Sequence, residues 1–434
     1  MRAGVAVKDI TPAHGTAMSG FAARRDRAAG AHDRLLVEAL VVEDTAVITV
    51  DVVGLHEDDC AEIRRRCPLG NVVVHATHTH GGPVSMRGRL GAPIDEEWLG
   101  TVIDACVECV TEAVAQSEDV GLEGTVVSGL GVAKNRRNPD GPVDDCMPVV
   151  IFRRPDQSVL AALVSYACHP VVLGADNLLF TADYPGVVRR EMSQQLGGAP
   201  VVFMTGFAGD ANTGHRAADS ITTQGASGRT FEECERIGRH LADRALNVAD
   251  EGLVDTSDGV TATSARVELQ VTVPPADDVL ADVARWHDEL PTAEDAQAAL
   301  LKAWIDWGAG QLKAQPDSRN RTGWSGSVTV LRWGRVIIVA LPGEPFAIAA
   351  LRIRQYVNEM LPEAVVITAG YCDGCPGYLP SREEYVVGGY EVNEAHRYYG
   401  MPGPFAAGSL EQLLTTAREL LSVTQPNDRD SQQS

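Results

Sequence analysis

In the stretch Asn71 to Pro83, NVVVHATHTHGGP, three histidines, His75, His78 and His80, fall within six residues directly after a run of valines. A neutral imidazole is a good nitrogen donor to a metal ion, so the His-x-His pair raises metal chemistry. Read as one strand, the alternation of side chains sends His78 and His80 to one face and His75 to the other. The Gly-Gly-Pro turn then leaves the pair at a strand end, where ligands bind in α/β folds. A catalytic zinc usually takes three protein ligands and keeps a position for water or substrate, so partners are needed. His169, in VSYACHPVV, and Glu344, in VIIVALPGEPF, each close a further apolar strand. The remaining histidines, His14, His32, His56, His215, His240, His287 and His396, lie in loops or on polar helix faces, where solvation accounts for them.

These strand ends need a scaffold, and short Val-rich runs alternating with helical patterns predict an α/β fold of mixed β-sheets flanked by helices. LLVEALVVED, TAVITVDVVGL, NVVVHATHTH, TVVSGLGVAK, MPVVIFRR, VLAALVSYACH, PVVFMTGFAGD and GSVTVLRWGRVIIVALPGEPF read as strands; Glu96 to Ser117, Asp183 to Leu196 and Phe231 to Val248 read as helices. An amphipathic stretch from about 275 to 315, rich in Ala and Trp, reads as a helical insertion over a site. With no Pro- or Ser-rich linker in view, residues 1–422 are expected to form a single domain, and 423–434 a disordered tail with too little apolar content to order itself.

Composition excludes several classes. The chain has 434 residues, 44% hydrophobic and 22% charged, as a globular protein does. Its 37 Lys and Arg against 59 Asp and Glu give a net charge of −22, which disfavours nucleic acid and anionic membranes as partners. No stretch approaches the roughly 20 apolar residues of a membrane helix, and Lys8, Asp9 and Pro12 interrupt any signal sequence. A cytoplasmic protein acting on a small molecule is the expectation. Nine cysteines without scaffold spacing fit reduced thiols. Cys106 and Cys109 fall within a helical pattern as small hydrophobes, whereas Cys372 and Cys375, in the loop GYCDGCPGY, leave a local or redox role open.

Taken in order, VAVKDITP, NVVVHATHTHGGP, NRRNPDGPVDD, YACHPVV, FAGDANTG, LPGEPF and YLPSREEYVVGGYE resemble the neutral/alkaline non-lysosomal ceramidases, a family of zinc-dependent amidases, over almost the whole chain. The resemblance implies a ceramidase-like catalytic domain in which Zn2+ is held by His78, His169, Glu344 and Tyr378. It implies further that His80, Arg136 and Tyr390 meet the substrate amide, with Arg137 an adjacent rival to Arg136. The function so implied is hydrolysis of an amide (N-acyl) bond by metal-activated water: Arg136 orients the carbonyl, Tyr390 helps stabilise the oxyanion, and His80 passes a proton to the leaving amine.

Three features depart from that family. Its Gly-Asp-x-Ser-Pro-Asn motif is here Gly209-Asp210-Ala211-Asn212-Thr213-Gly214, so Asn212 stands where a Ser has been assigned a catalytic part. Asn212 is then either a substrate hydrogen-bond donor or a turn residue. Neither a signal peptide nor a C-terminal immunoglobulin-like domain is recognisable in the sequence, which shifts the expected substrate towards a smaller, more polar N-acylated molecule. Competing functions are zinc-dependent cleavage of an ester, lactone or other bond, and a non-catalytic binding protein. Asp183 is expected as a helix N-cap or as a partner of a zinc-binding histidine, and Asp51 as a support or proton-transfer group.

Overall fold

β-Branched runs favour extended backbone, and in this chain they assemble into three larger sheets built to one plan. The structure, a computed structural model, describes residues 1–13, 15–215, 228–251, 254–255, 259–314 and 323–423. His14 and, from residue 424, the tail expected to be disordered lie outside them.

The first sheet runs in the order Asn71–Ala76, Thr45–Val50, Leu36–Val42, Arg2–Asp9 and Glu118–Asp119. The second is Val201–Thr205, Val159–Tyr166, Cys146–Arg153, Gly121–Ser128 and Val254–Asp255. The third is Val260–Gln270, Gly323–Trp333, Val336–Ala340 and Val365–Ala369. Each is antiparallel except for one parallel pair at an end: Thr45–Val50 with Asn71–Ala76, Val159–Tyr166 with Val201–Thr205, and Val336–Ala340 with Val365–Ala369.

The three parallel pairs face one another. Val47 and Val73, Leu163 and Val202, and Ile338 and Ile367 belong to one buried cluster drawn from all three sheets. Burial on both faces explains why these strands are nearly continuous Val, Ile and Leu rather than alternating. At their carboxyl ends the sheets are tied by hydrogen bonds: Thr205 N–H to His75 Nε2 (3.0 Å), Thr205 Oγ1 to the Thr77 carbonyl (2.6 Å), and Gly370 N–H to the Thr205 carbonyl (3.2 Å). His75 is therefore a structural link between two sheets.

Helices cover the outer faces. Glu96–Ala115 starts at the N-cap Asp95 and packs Cys106 and Cys109 into the core, where both thiols are free. Ala276–Glu289 and Asp295–Lys313 interrupt the chain between Val260–Gln270 and Gly323–Trp333, strands that pair directly with each other. No helix among the described residues is long and apolar enough to cross a membrane.

Candidate metal centre

The strand carrying the first motif ends at Ala76, so the pleat does not set the directions of His78 and His80. His78 has φ +65°, in the left-handed region, and it is this turn, rather than strand alternation, that swings both imidazoles inward. Gly81 and Gly82 pack tightly there, since a Cβ on Gly81 would meet Thr181 at 2.5 Å. His169 follows the end of Val159–Tyr166 by three residues, and Glu344 follows Val336–Ala340 by four.

These ends meet. Glu344 Oε2 lies 2.9 Å from His169 Nε2 and 3.4 Å from His78 Nε2, and all three side chains are fully buried. His80 Nε2 is 3.3 Å from His78 Nε2. The imidazole nitrogens of His78, His80 and His169 lie within 4.8 Å of one another. Two of the rings are locked from behind: His78 Nδ1 faces the Val53 carbonyl at 2.5 Å, and His169 Nδ1 faces the carbonyls of Ala208 (2.6 Å) and Ala211 (3.1 Å). A carbonyl at Nδ1 fixes the proton there and leaves the Nε2 lone pair free to ligate. His80 Nδ1 has no such partner among the described residues. Its ring is steadied instead by Phe21, edge-on at 4.9 Å, and by Gly20, whose missing Cβ leaves room for it.

Burial lowers the pKa of His169 and takes that of His80 well below the ordinary imidazole value, so both are neutral donors. Burial alone would raise the Glu344 carboxyl, but the adjoining His78 and His169 hold it well below the usual carboxylate range. Neutral imidazoles with one carboxylate are a donor set suited to a first-row divalent cation. Between His78 and Glu344 the 3.4 Å separation matches the edge, about 3.3 Å, of a tetrahedron with bonds of about 2.0–2.1 Å, and the 2.9 Å between His169 and Glu344 is shorter than that edge. The residues present fit such an ion.

Tyr378 is the parallel backbone partner of Glu344, its ring 6.4 Å from His169 and stacked on it. Tyr390 meets the Tyr378 ring edge-on at 5.8 Å. The guanidinium of Arg136 stands 5.3 Å over the Tyr378 ring; its Nε donates to Glu391 (2.8 Å) while one buried terminal nitrogen has no partner among the described residues. Arg137, the rival, is committed to Glu384, Glu391 and the Gly388 carbonyl. Arg136 is thus the arginine with a donor to spare.

Other expectations resolve differently. Asn212 Oδ1 accepts from Gly214 N–H and His215 N–H, and its Nδ2 donates to the His215 carbonyl, so the turn alternative accounts for its bonds. Asp51 is not open to the site: it accepts from Thr77 Oγ1, Leu36 N–H and Arg189. His396, expected on a polar face, is buried against Trp307, because the helical insertion covers it. Cys372 and Cys375 are buried free thiols. Two residues with no local signal join the site: Tyr371, stacked on His78 at 4.0 Å, and Tyr399, whose hydroxyl donates to Glu344 Oε1. A cavity of about 430 Å3, not lined by His78, His80 or His169, is lined by His32, Asp33, Glu38, Arg189 and Phe231 among others.

Asp183 caps the helix Tyr184–Gln195, accepting from Tyr184 N–H, and ties down Leu173 N–H in the loop after His169. Burial pushes its pKa up to about 6. A carboxyl raised on folding favours the native state below its unfolded pKa and loses that contribution as pH rises through about 6. Asp183→Asn keeps an acceptor for the cap, so the wild type should lose about 2–3 kcal/mol relative to it between pH 4 and 7. Urea unfolding of both proteins across that range checks it; parallel profiles refute it.

No family model matches the chain. It is 23% identical to the neutral ceramidase of Mycobacterium tuberculosis, over 96% of this chain and 76% of that protein. To the neutral ceramidase of Pseudomonas aeruginosa it is 22% identical over 95% and 71%. The crystal structure of neutral ceramidase from Pseudomonas aeruginosa superposes with a TM-score of 0.74 at 17% identity, covering 96% of this chain and 73% of that one. A ceramidase complexed with C2 also gives 0.74, at 16% identity, over 98% and 76%. By sequence along almost its whole length, and by fold, the chain is similar to the neutral ceramidases.

Proposed function

We propose that the chain is a zinc-dependent amidohydrolase that cleaves an N-acyl bond to a carboxylic acid and an amine, working as a single domain over residues 1–422. The observation that carries this reading is the convergence of His78 Nε2 and His169 Nε2 on Glu344 Oε2, with both Nδ1 atoms held by carbonyls. His78, His169, Glu344 and Tyr378 would hold the cation. When bound, it supplies Lewis acidity, making water nucleophilic near neutral pH and polarising a carbonyl.

The protein groups divide the remaining work. The spare donor of Arg136, together with the Tyr390 hydroxyl, binds the substrate carbonyl oxygen, where negative charge grows as water adds. Among the described residues, His80 differs from the other two imidazoles in having no carbonyl behind Nδ1, so its tautomer is not locked. That freedom suits a proton carrier: His80 takes a proton from the attacking water and delivers it to the leaving nitrogen as the C–N bond breaks. The relatives named as neutral ceramidases support an N-acylated amine as the substrate class.

The test is amine release from a panel running from N-acetyl amino sugars to long-chain ceramides, with ester and lactone analogues alongside, using native and chelator-stripped protein. Chelation should abolish release and added zinc restore it, and the preferred acyl length then names the substrate. Turnover of esters or lactones without amides would replace the amidase reading; full turnover by metal-free protein would overturn the mechanism.

A further inference from the structure

The two oxygens of Glu344 have different partners. Oε2 faces His78 and His169, while Oε1 accepts the hydroxyl of Tyr399. A carboxylate held at one oxygen can still turn about its last torsion; held at both, it cannot. Tyr399 is buried, and its ring passes close to Gly377, where a Cβ would come within 3.3 Å of it. Gly377 has φ +122° and its carbonyl accepts Glu344 N–H at 3.0 Å, so main chain and side chain of Glu344 are fixed by one layer.

Tyr399 lies on the turn from Ala395 to Met401, a segment with no place in any sheet. Its anchors come from the helical insertion. Trp304 Nε1 donates to the Tyr398 hydroxyl at 2.8 Å, and Trp307 Nε1 to the Met401 carbonyl at 2.9 Å. Between them the guanidinium of Arg397 stands 5.1, 5.0 and 5.7 Å from the rings of Trp286, Trp304 and Trp307. Three tryptophans on two helices thus grip the residues on both sides of Tyr399.

We infer that Tyr399 is a positioning residue that aims the Glu344 carboxylate at the His78 and His169 pair, and that the helical insertion serves as the clamp that holds Tyr399 in place. This rests on reading the site as a cation centre. It gives the insertion a part in metal binding, beyond that of a cover over the substrate.

The experiment is zinc titration of the full chain against a chromogenic chelator, for the wild type, Tyr399→Phe and Tyr398→Phe, with circular dichroism to confirm folding. Groups that orient metal ligands typically change affinity by about 10–100-fold, and Tyr399→Phe should fall in that range. Tyr398→Phe, which strips Trp304 of its acceptor, should weaken binding in the same direction but less. Amine release by Tyr399→Phe should recover at saturating zinc, as a positioning role requires. Wild-type affinity in Tyr399→Phe, or turnover that stays lost at saturating zinc, overturns the inference while leaving the metal centre standing. A wild type that binds no zinc overturns both. Should Tyr399→Phe fail to fold, unchanged affinity in Tyr398→Phe overturns the clamp.

Discussion

Glu344→Gln removes the carboxylate that meets His78 and His169 at the strand ends, and it is expected to abolish cation binding and amine release together. In the wild type the charge is fully buried between two imidazoles and the Tyr399 hydroxyl. Deleting one partner of a buried charged pair costs about 3–5 kcal/mol. Set against a bound cation, that corresponds to a loss in affinity of about 10²–10⁴-fold at 1.36 kcal/mol per decade. The metal-free variant should not be less stable in proportion, because Gln spares the fold a buried anion. The separation is visible in one measurement: a hundredfold excess of zinc over its Kd should stabilise the wild type by about 2.7 kcal/mol and Glu344→Gln hardly at all. Equal stabilisation of both proteins by zinc would remove Glu344 from the ligand set.

How much of this was legible in the sequence follows from where each residue gets its position. His169 and Glu344 could be read because each has a ligating side chain just past an apolar strand, and the three parallel pairs bring such ends together. His78 and His80 converge for a reason other than the expected one. Alternation does not extend beyond Ala76; a left-handed residue and a Gly-Gly turn do what the pleat was expected to do. Tyr399 left no trace, because its value depends on contacts with Glu344, 55 residues away in sequence, and on a clamp of tryptophans from 286–307. The choice between Arg136 and Arg137 was also closed to sequence, since it turns on which guanidinium Glu384 and Glu391 leave with a spare donor. Asn212 offered two readings of equal standing, and the bonds of its own turn account for its side chain.

The site also depends on charges that never touch it, and Arg189→Met is the expected demonstration. Arg189, buried in the helix Tyr184–Gln195, donates to Glu38 Oε2 at 3.0 Å and to Asp51 Oδ2 at 2.6 Å. Both carboxylates are buried, and Asp51 reaches on to Thr77, next in sequence to His78. Met fills much of the space but leaves two anions in the interior without a cation, so unfolding free energy should fall by about 3–5 kcal/mol. The deficit should depend on pH with a definite sign. Burial already raises the Glu38 pKa in the wild type, and without Arg189 that carboxyl takes up a proton more readily, so the loss is full at neutral pH and shrinks on acidification. Replacing all three groups together, Glu38→Gln and Asp51→Asn with Arg189→Met, should recover much of the stability, because no buried charge is then left alone. Urea midpoints for the single and triple variants at two pH values measure this. A loss under about 1 kcal/mol in the single variant, independent of pH, would mean that water reaches these carboxylates and that the triad does not brace the turn carrying His78.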